Sequence, residues 1–384
     1  MMTQTIGRRR TRRPIRVSLP AVVVGALALC ACRPVHRSAI DSSLTAEHVR
    51  RLWLSYLDSK NGHFSREAAT PSPLWDSAER RRWQLYDLAG FYLPDNATYD
   101  VIAVQRASSG SGEYQIRTLF TTPNENNPLR ARRIWVTSYA TRVDTSWMLA
   151  NALLRSTAGW RRERIEPFTY VVQPGLEFRR ERAMRAATFA DSAADAFEVP
   201  RLTEITYYLT RSVDDVYRIM GLETERVWGP VGGVAQPVNR QIFSGMPSVG
   251  EEYRHEIAHM VLLPLIGSTT YFVSEGVPTW LGGTTGMDLR RASRELARFL
   301  SEHRAATLDS LIGGGHPPAL LYPAAGIFVD LVFRARGVAG VKSLFAAGPG
   351  TAQFRASVER LLQRSWSEIS DEWRRRAIAL GSTQ

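Results

Sequence analysis

One short pattern constrains this chain more than any other: two histidines four positions apart, with a glutamate directly after the first, in Arg254-His255-Glu256-Ile257-Ala258-His259-Met260. On an α-helix positions i and i+4 share a face, so both imidazoles can reach one metal ion. Glu256 then stands beside the ion rather than on it, where it can take a proton from a water held there. The flanking residues read as a helix. Ser248 has the character of an N-cap, Glu251 follows three residues later as a capping-box partner, and Ile257, Met260 and Val261 supply an apolar face before Pro264 stops the run. Histidine is scarce, seven in 384 residues, so the pattern does not follow from a histidine-rich composition.

A third candidate ligand lies sixteen positions beyond His259, in Tyr271-Phe-Val-Ser-Glu275-Gly276-Val277-Pro278-Thr279-Trp280. The segment reads as a short second helix, capped by Ser274, with Pro278 in its first turn and Gly282-Gly283 at its end. Two histidines and a carboxylate are one of the standard protein sets for a catalytic zinc, which keeps one position open for water. The H-E-x-x-H pattern followed by S-E-G resembles the gluzincin metallopeptidases (the peptidase MA-like group), in which a downstream E-G glutamate completes the zinc site. That resemblance implies one bound Zn2+ with His255, His259 and Glu275 as ligands and Glu256 as general base. The chain departs from the best-known members in two ways: the fifteen residues between His259 and Glu275 are slightly fewer, and Pro278 is uncommon in the ligand helix. Related enzymes take an oxyanion donor from a tyrosine or histidine further on, which implies Tyr322 first and His316 second. Tyr253 and Trp280 read as packing residues. Glu252 and Asp288 are the carboxylates nearest in sequence for orienting the histidines.

The formal charge of +12 does not point to nucleic acid. Arg8, Arg9, Arg10, Arg12, Arg13 and Arg16 supply half of it, in a stretch without acids, and the remaining arginines alternate with acids as on a solvated surface. The basic opening runs into an apolar segment, Val17 to Leu29, too short for a comfortable membrane span but shaped like a secretory signal. It ends in Leu29-Cys30-Ala31-Cys32, which resembles a bacterial lipobox and implies cleavage before Cys32 and lipid attachment to it. Thr11-Arg12-Arg13 is a faint twin-arginine echo. Both cysteines lie in this region, so the remainder of the chain forms no disulfide and depends on its core. The alternative for the opening is an uncleaved N-terminal anchor; either way the bulk of the protein is expected outside the cytoplasm.

The expected fold class is α+β, organised as a signal over 1–31, a tether over 32–45 and two domains over 46–175 and 176–384. The first begins with helices over 47–58 and 77–88. Strands follow at 98–104, 114–120, 133–139 and 160–172, separated by turns such as Gly110-Ser111-Gly112. Helices followed by a curved antiparallel sheet resemble an NTF2-like (cystatin-type α+β) domain, a likeness of pattern alone. The second domain is expected to carry a helix from Leu176 to Phe197, a strand at 205–210, a helix at 213–220 and a strand over 225–243 containing Gly232-Gly233-Val234-Ala235. The metal-site helix and a mainly helical second lobe come next. This order also resembles the small gluzincin catalytic domains, which implies an edge strand beside the cleft to which an extended peptide can add. The expected activity is hydrolysis of peptide bonds. Two alternatives stay open on sequence: a zincin-fold lipoprotein that binds without cleaving, and a zinc amidase acting on cell-wall peptides.

Overall fold

A computed structural model describes residues 44–64, 72–80, 93, 97–108, 110–122, 132–224, 232–313 and 316–382. The expected signal, the expected lipidation site Cys32 and nearly all of the expected tether lie outside the described residues, as does the part of the expected second helix beyond residue 80.

The first layer forms where an amphipathic helix meets an alternating sheet. Helix α1 (Leu44–Ser59) buries Val49, Trp53, Tyr56 and Leu57, which recur at helical spacing. A four-residue helix, α2 (Ser77–Arg80), follows. Strands β1 (Thr98–Arg106), β2 (Tyr114–Thr122), β3 (Arg132–Val143) and β4 (Ser146–Asn151) pair antiparallel in chain order. Burial in β2 alternates residue by residue, as expected of a strand with one face on a core. Trp53 enters that core and donates its indole N–H to Thr118 Oγ1 at 2.8 Å. The β3–β4 hairpin turns at Asp144, whose φ of 52° suits the local hydrogen bonding of an aspartate. Helix α3 (Ala152–Ser156) is capped by the Asn151 side chain.

The second sheet is mixed. Strands β5 (Arg161–Ile165), β6 (Phe168–Val172), β7 (Ile205–Leu209), β10 (Gln241–Ser244) and β9 (Gly233–Gln236) lie in that order, with β6–β7 and β7–β10 parallel and the outer pairs antiparallel. The expected domain boundary at residue 175 therefore does not separate the sheets, because β6 pairs with β7 and β5 with β6. Conversely β8 (Leu222–Thr224), from the second half of the chain, pairs with β3. Alternation decides that a segment is a strand but not which distant strand it meets. The single strand expected over 225–243 is a hairpin in its described part: β9 and β10 are joined by a 3-10 turn at Pro237–Asn239, where proline has no N–H for a ladder.

Helix α4 (Arg180–Phe197) connects β6 to β7 and starts four residues later than Leu176. Its start is set by Glu251, whose carboxylate accepts the Arg179 N–H at 2.7 Å. Helix α5 (Val213–Ile219) is capped by Ser212. Beyond the metal-site helix comes a helical lobe of α7 (Tyr271–Gly282), α8 (Leu289–Glu302), α9 (Leu308–Ile312), α10 (Pro318–Leu344), α11 (Thr351–Leu362) and α12 (Trp366–Ser382). Helix α10 is broken at Gly337, with φ 62°, and is long and apolar enough to cross a membrane. Its apolarity is used inside the protein: Ala324, Phe328 and Val332 are fully buried, and the Ala324 carbonyl accepts the Trp373 indole N–H at 2.9 Å. An antiparallel sheet, a mixed sheet and a helical lobe make the fold α+β.

Candidate metal centre

Helix α6 (Arg254–Leu262) carries the histidine pair and lies between two cores. Ile257, Met260 and Val261 pack with the second sheet and the alanine face of α4, formed by Ala183, Ala186 and Ala190. Ala258 and Leu262 pack into the helical lobe with Phe272, Val273 and Val277. The capping box expected from Ser248 and Glu251 does not form, since Glu251 serves α4 and the helix begins only after Tyr253. A tyrosine does the tying instead. The Tyr207 hydroxyl accepts the Tyr253 N–H at 3.2 Å and donates to the Gly250 carbonyl at 2.9 Å, fixing the loop that feeds α6.

Helix α7 carries Glu275. Thr270, not Ser274, is its N-cap: the Thr270 hydroxyl accepts the Val273 N–H, while Ser274 sits inside the helix and donates to the Tyr271 carbonyl. Pro278 is consequently in the helix interior rather than its first turn. Two glycines bring α7 close to its neighbours. A Cβ at Gly276 would lie 2.9 Å from the Ala325 Cβ on α10, and one at Gly282 only 2.5 Å from the Arg254 carbonyl carbon. Gly283 then takes φ 73° and presents its carbonyl to His255 Nδ1 at 2.9 Å. A carbonyl only accepts, so Nδ1 carries the proton and Nε2 keeps its lone pair for a metal. The orienting partner is thus a backbone group. Neither carboxylate expected in that role provides it: Glu252 pairs with Arg185 and Arg254, and Asp288 caps α8 through the Arg291 N–H.

Three donor atoms converge. His255 Nε2 lies 3.2 Å from His259 Nε2 and 3.3 Å from Glu275 Oε2, and His259 Nε2 lies 3.5 Å from that same oxygen. A tetrahedral ion with bonds of about 2.0–2.1 Å requires donors about 3.3 Å apart, so the triangle has the dimensions of a metal shell. Two neutral imidazoles and one carboxylate suit zinc and other borderline divalent ions, and the residues fit such a group. These three residues could hold a metal ion. Burial pushes the Glu275 carboxyl pKa up, but hydrogen bonds and charge from both histidines overcome this and hold it down at about 2. For His255, burial works against the charged form, yet the Glu275 hydrogen bond, the charges of Glu256 and Glu275 and the Gly283 carbonyl raise its pKa overall. The pocket therefore favours positive charge at its centre.

The donors open onto a cleft of about 560 Å3 that also receives Glu256, Tyr253, Tyr271, Tyr322 and β9. Glu256 is only 6% exposed. The Tyr322 ring stacks near-parallel to the His255 ring at 5.6 Å, and its hydroxyl lies 3.3 Å from that of Tyr271. Burial, then the charge of Glu275, raises the Tyr322 pKa, so its hydroxyl stays protonated at neutral pH. Of the two oxyanion-donor candidates only Tyr322 reaches the cleft; His316 packs edge-on against Phe299. Tyr253, expected as packing alone, is 4% exposed and also lines the cleft, whereas Trp280 lies against Phe333. Among the described residues, strand β9 is an edge of its sheet and its outer backbone groups face no further strand. Gly232 and Gly233 serve the interior side, where a Cβ would lie 2.8 Å from the Tyr253 hydroxyl and 2.3 Å from the Phe243 carbonyl oxygen respectively.

No protein-family model matches the chain, and no curated protein matches it. A metal-sized triangle of donors, a nearby carboxylate and a protonated phenol share one cleft, an arrangement suited to polarising a carbonyl and moving a proton.

Proposed function

We propose that the chain is a zinc-dependent metallopeptidase of gluzincin type, held outside the cytoplasm by lipid on Cys32, with an NTF2-like domain preceding the catalytic part. The supporting observation is the convergence of His255, His259 and Glu275 at 3.2–3.5 Å in a cleft that also holds Glu256 and Tyr322. His255, His259 and Glu275 would hold the zinc ion, which would supply Lewis acidity for activating water and polarising the carbonyl. Glu256 would accept a proton from the water that attacks the peptide carbonyl and return it to the leaving amine. Tyr322, held protonated, donates to the oxyanion as charge develops on the carbonyl oxygen. The edge that β9 presents among the described residues supplies main-chain partners for an extended peptide alongside. Gly283 keeps His255 in the tautomer that leaves Nε2 available.

The test is Glu256→Gln, which changes the base but none of the three donors. The variant is expected to bind zinc as the parent does and to lose hydrolysis of unfolded-protein substrates. Hydrolysis at the parental rate excludes Glu256 as the base. Zinc binding without cleavage of any protein or cell-wall peptide by the parent supports a non-cleaving binding protein instead.

A further inference from the structure

Beside the metal cleft lies a second cavity of about 470 Å3. The two share Thr284, Thr285, Pro318 and Tyr322, so the second opens directly off the first. Its wall is the exposed face of α8, where Arg291, Arg294 and Arg298 recur at helical spacing with Glu295 among them. Among the described residues, none of the three guanidinium groups has an ion-pair or hydrogen-bond partner. Other arginines of the chain are paired: Arg185 and Arg254 meet Glu252, and Arg334 meets Asp330. Met287, Ala292, Pro318 and Ala319 give the same cavity an apolar lining. An apolar pocket rimmed by three guanidinium groups and one carboxylate is matched to a chain of methylenes ending in an anion.

We propose that this cavity is a specificity subsite that takes a carboxylate-bearing residue of the substrate next to the cleaved bond. The inference rests on the peptidase reading and names the substrate class of that site. The carboxylate meets the guanidinium groups of Arg291, Arg294 and Arg298, and the methylenes lie over Met287 and Ala292. Two sources share this chemistry, an internal acidic side chain and the free C-terminus of a short peptide. Peptides with internal glutamate and amidated ends separate the first from peptides with neutral side chains and free ends.

The experiment compares peptides that differ only by Glu against Gln at each position near the cleaved bond, together with amidated and free-ended versions. Zinc-loaded parent and an Arg291→Gln, Arg294→Gln, Arg298→Gln triple variant are assayed at low and high salt. At one position the carboxylate is expected to raise kcat/KM by about tenfold or more, as for a charge-assisted contact. That ratio is expected to fall towards one in the triple variant and to shrink with salt. Equal cleavage of charged and neutral peptides, or a preference that survives the triple variant, overturns the subsite. If no peptide is cleaved the peptidase reading fails, and binding of the same peptides to zinc-loaded Glu256→Gln decides the subsite separately. Tighter binding of the charged member, lost in the arginine variants, upholds the cavity as an anion site; equal binding overturns it.

Discussion

Replacing Gly282 by alanine tests how the metal site is held. In an ordinary helix the change stabilises by up to about 1 kcal/mol, because alanine has the better helix propensity. Here the new methyl would lie 2.5 Å from the Arg254 carbonyl carbon and 2.6 Å from the His255 nitrogen. These are 0.8–0.9 Å short of the 3.4 Å at which ordinary contact begins, and both atoms are backbone. No side chain can swing aside, so the end of α7 must move off the start of α6. Glu275 is on one of those helices and His255 on the other, whereas metal–ligand distances tolerate only about 0.2 Å. The move also displaces Gly283, whose carbonyl orients His255. The expected result is a loss of roughly 1–3 kcal/mol in stability from overpacking, and of about 10–100-fold in zinc affinity from the disturbed orienting shell. Thermal unfolding and zinc competition against a chromophoric chelator measure both. Gly159→Ala is the control, since a Cβ there meets nothing within 4 Å. A Gly282→Ala protein that is as stable as the parent and binds zinc equally well refutes the argument.

Two further outcomes follow from the site. Tyr322→Phe removes one hydroxyl from the oxyanion position and is expected to lower kcat by about 10²–10³-fold while zinc content stays at the parental level; steady-state kinetics with metal analysis check this, and an unchanged kcat rejects the donor role. Zinc affinity is expected to fall as the pH drops, by up to about tenfold per pH unit for each proton displaced. The sign follows from His255, whose raised pKa means that a proton competes for Nε2 below that value and leaves above it. Glu275, held at about 2, stays ionised throughout the accessible range and contributes nothing to that slope. Competition titrations at several pH values show the trend, and an affinity that rises on acidification contradicts it.

The parts of this account that were legible in the sequence are those governed by local spacing. Helix periodicity places His255 and His259 on one face wherever the helix begins, so the pair survived an error in the helix start. The cap itself was not legible, because Glu251 turned to Arg179 and a distant tyrosine, Tyr207, took over the loop. Alternation marks 160–172 as one strand, but the segment folds back as the β5–β6 hairpin; β6 then pairs with β7, which lies beyond α4, and only pairing reveals that the hairpin leaves the first sheet. The orienting group for His255 is a main-chain carbonyl, which no side-chain pattern encodes, although Gly282-Gly283 did mark where the chain turns. The α8 arginines carry no sequence signature either, since any exposed helix can look the same until a cavity is found beside it.

The most direct measurement is the metal content of the purified chain, by elemental analysis, beside a Glu275→Ala variant of comparable fold. One zinc per chain in the parent, with substoichiometric and weakly held zinc in the variant, is the predicted result. A parent that takes up no divalent ion, or a variant that holds zinc as tightly as the parent, contradicts the claim that His255, His259 and Glu275 form one metal site.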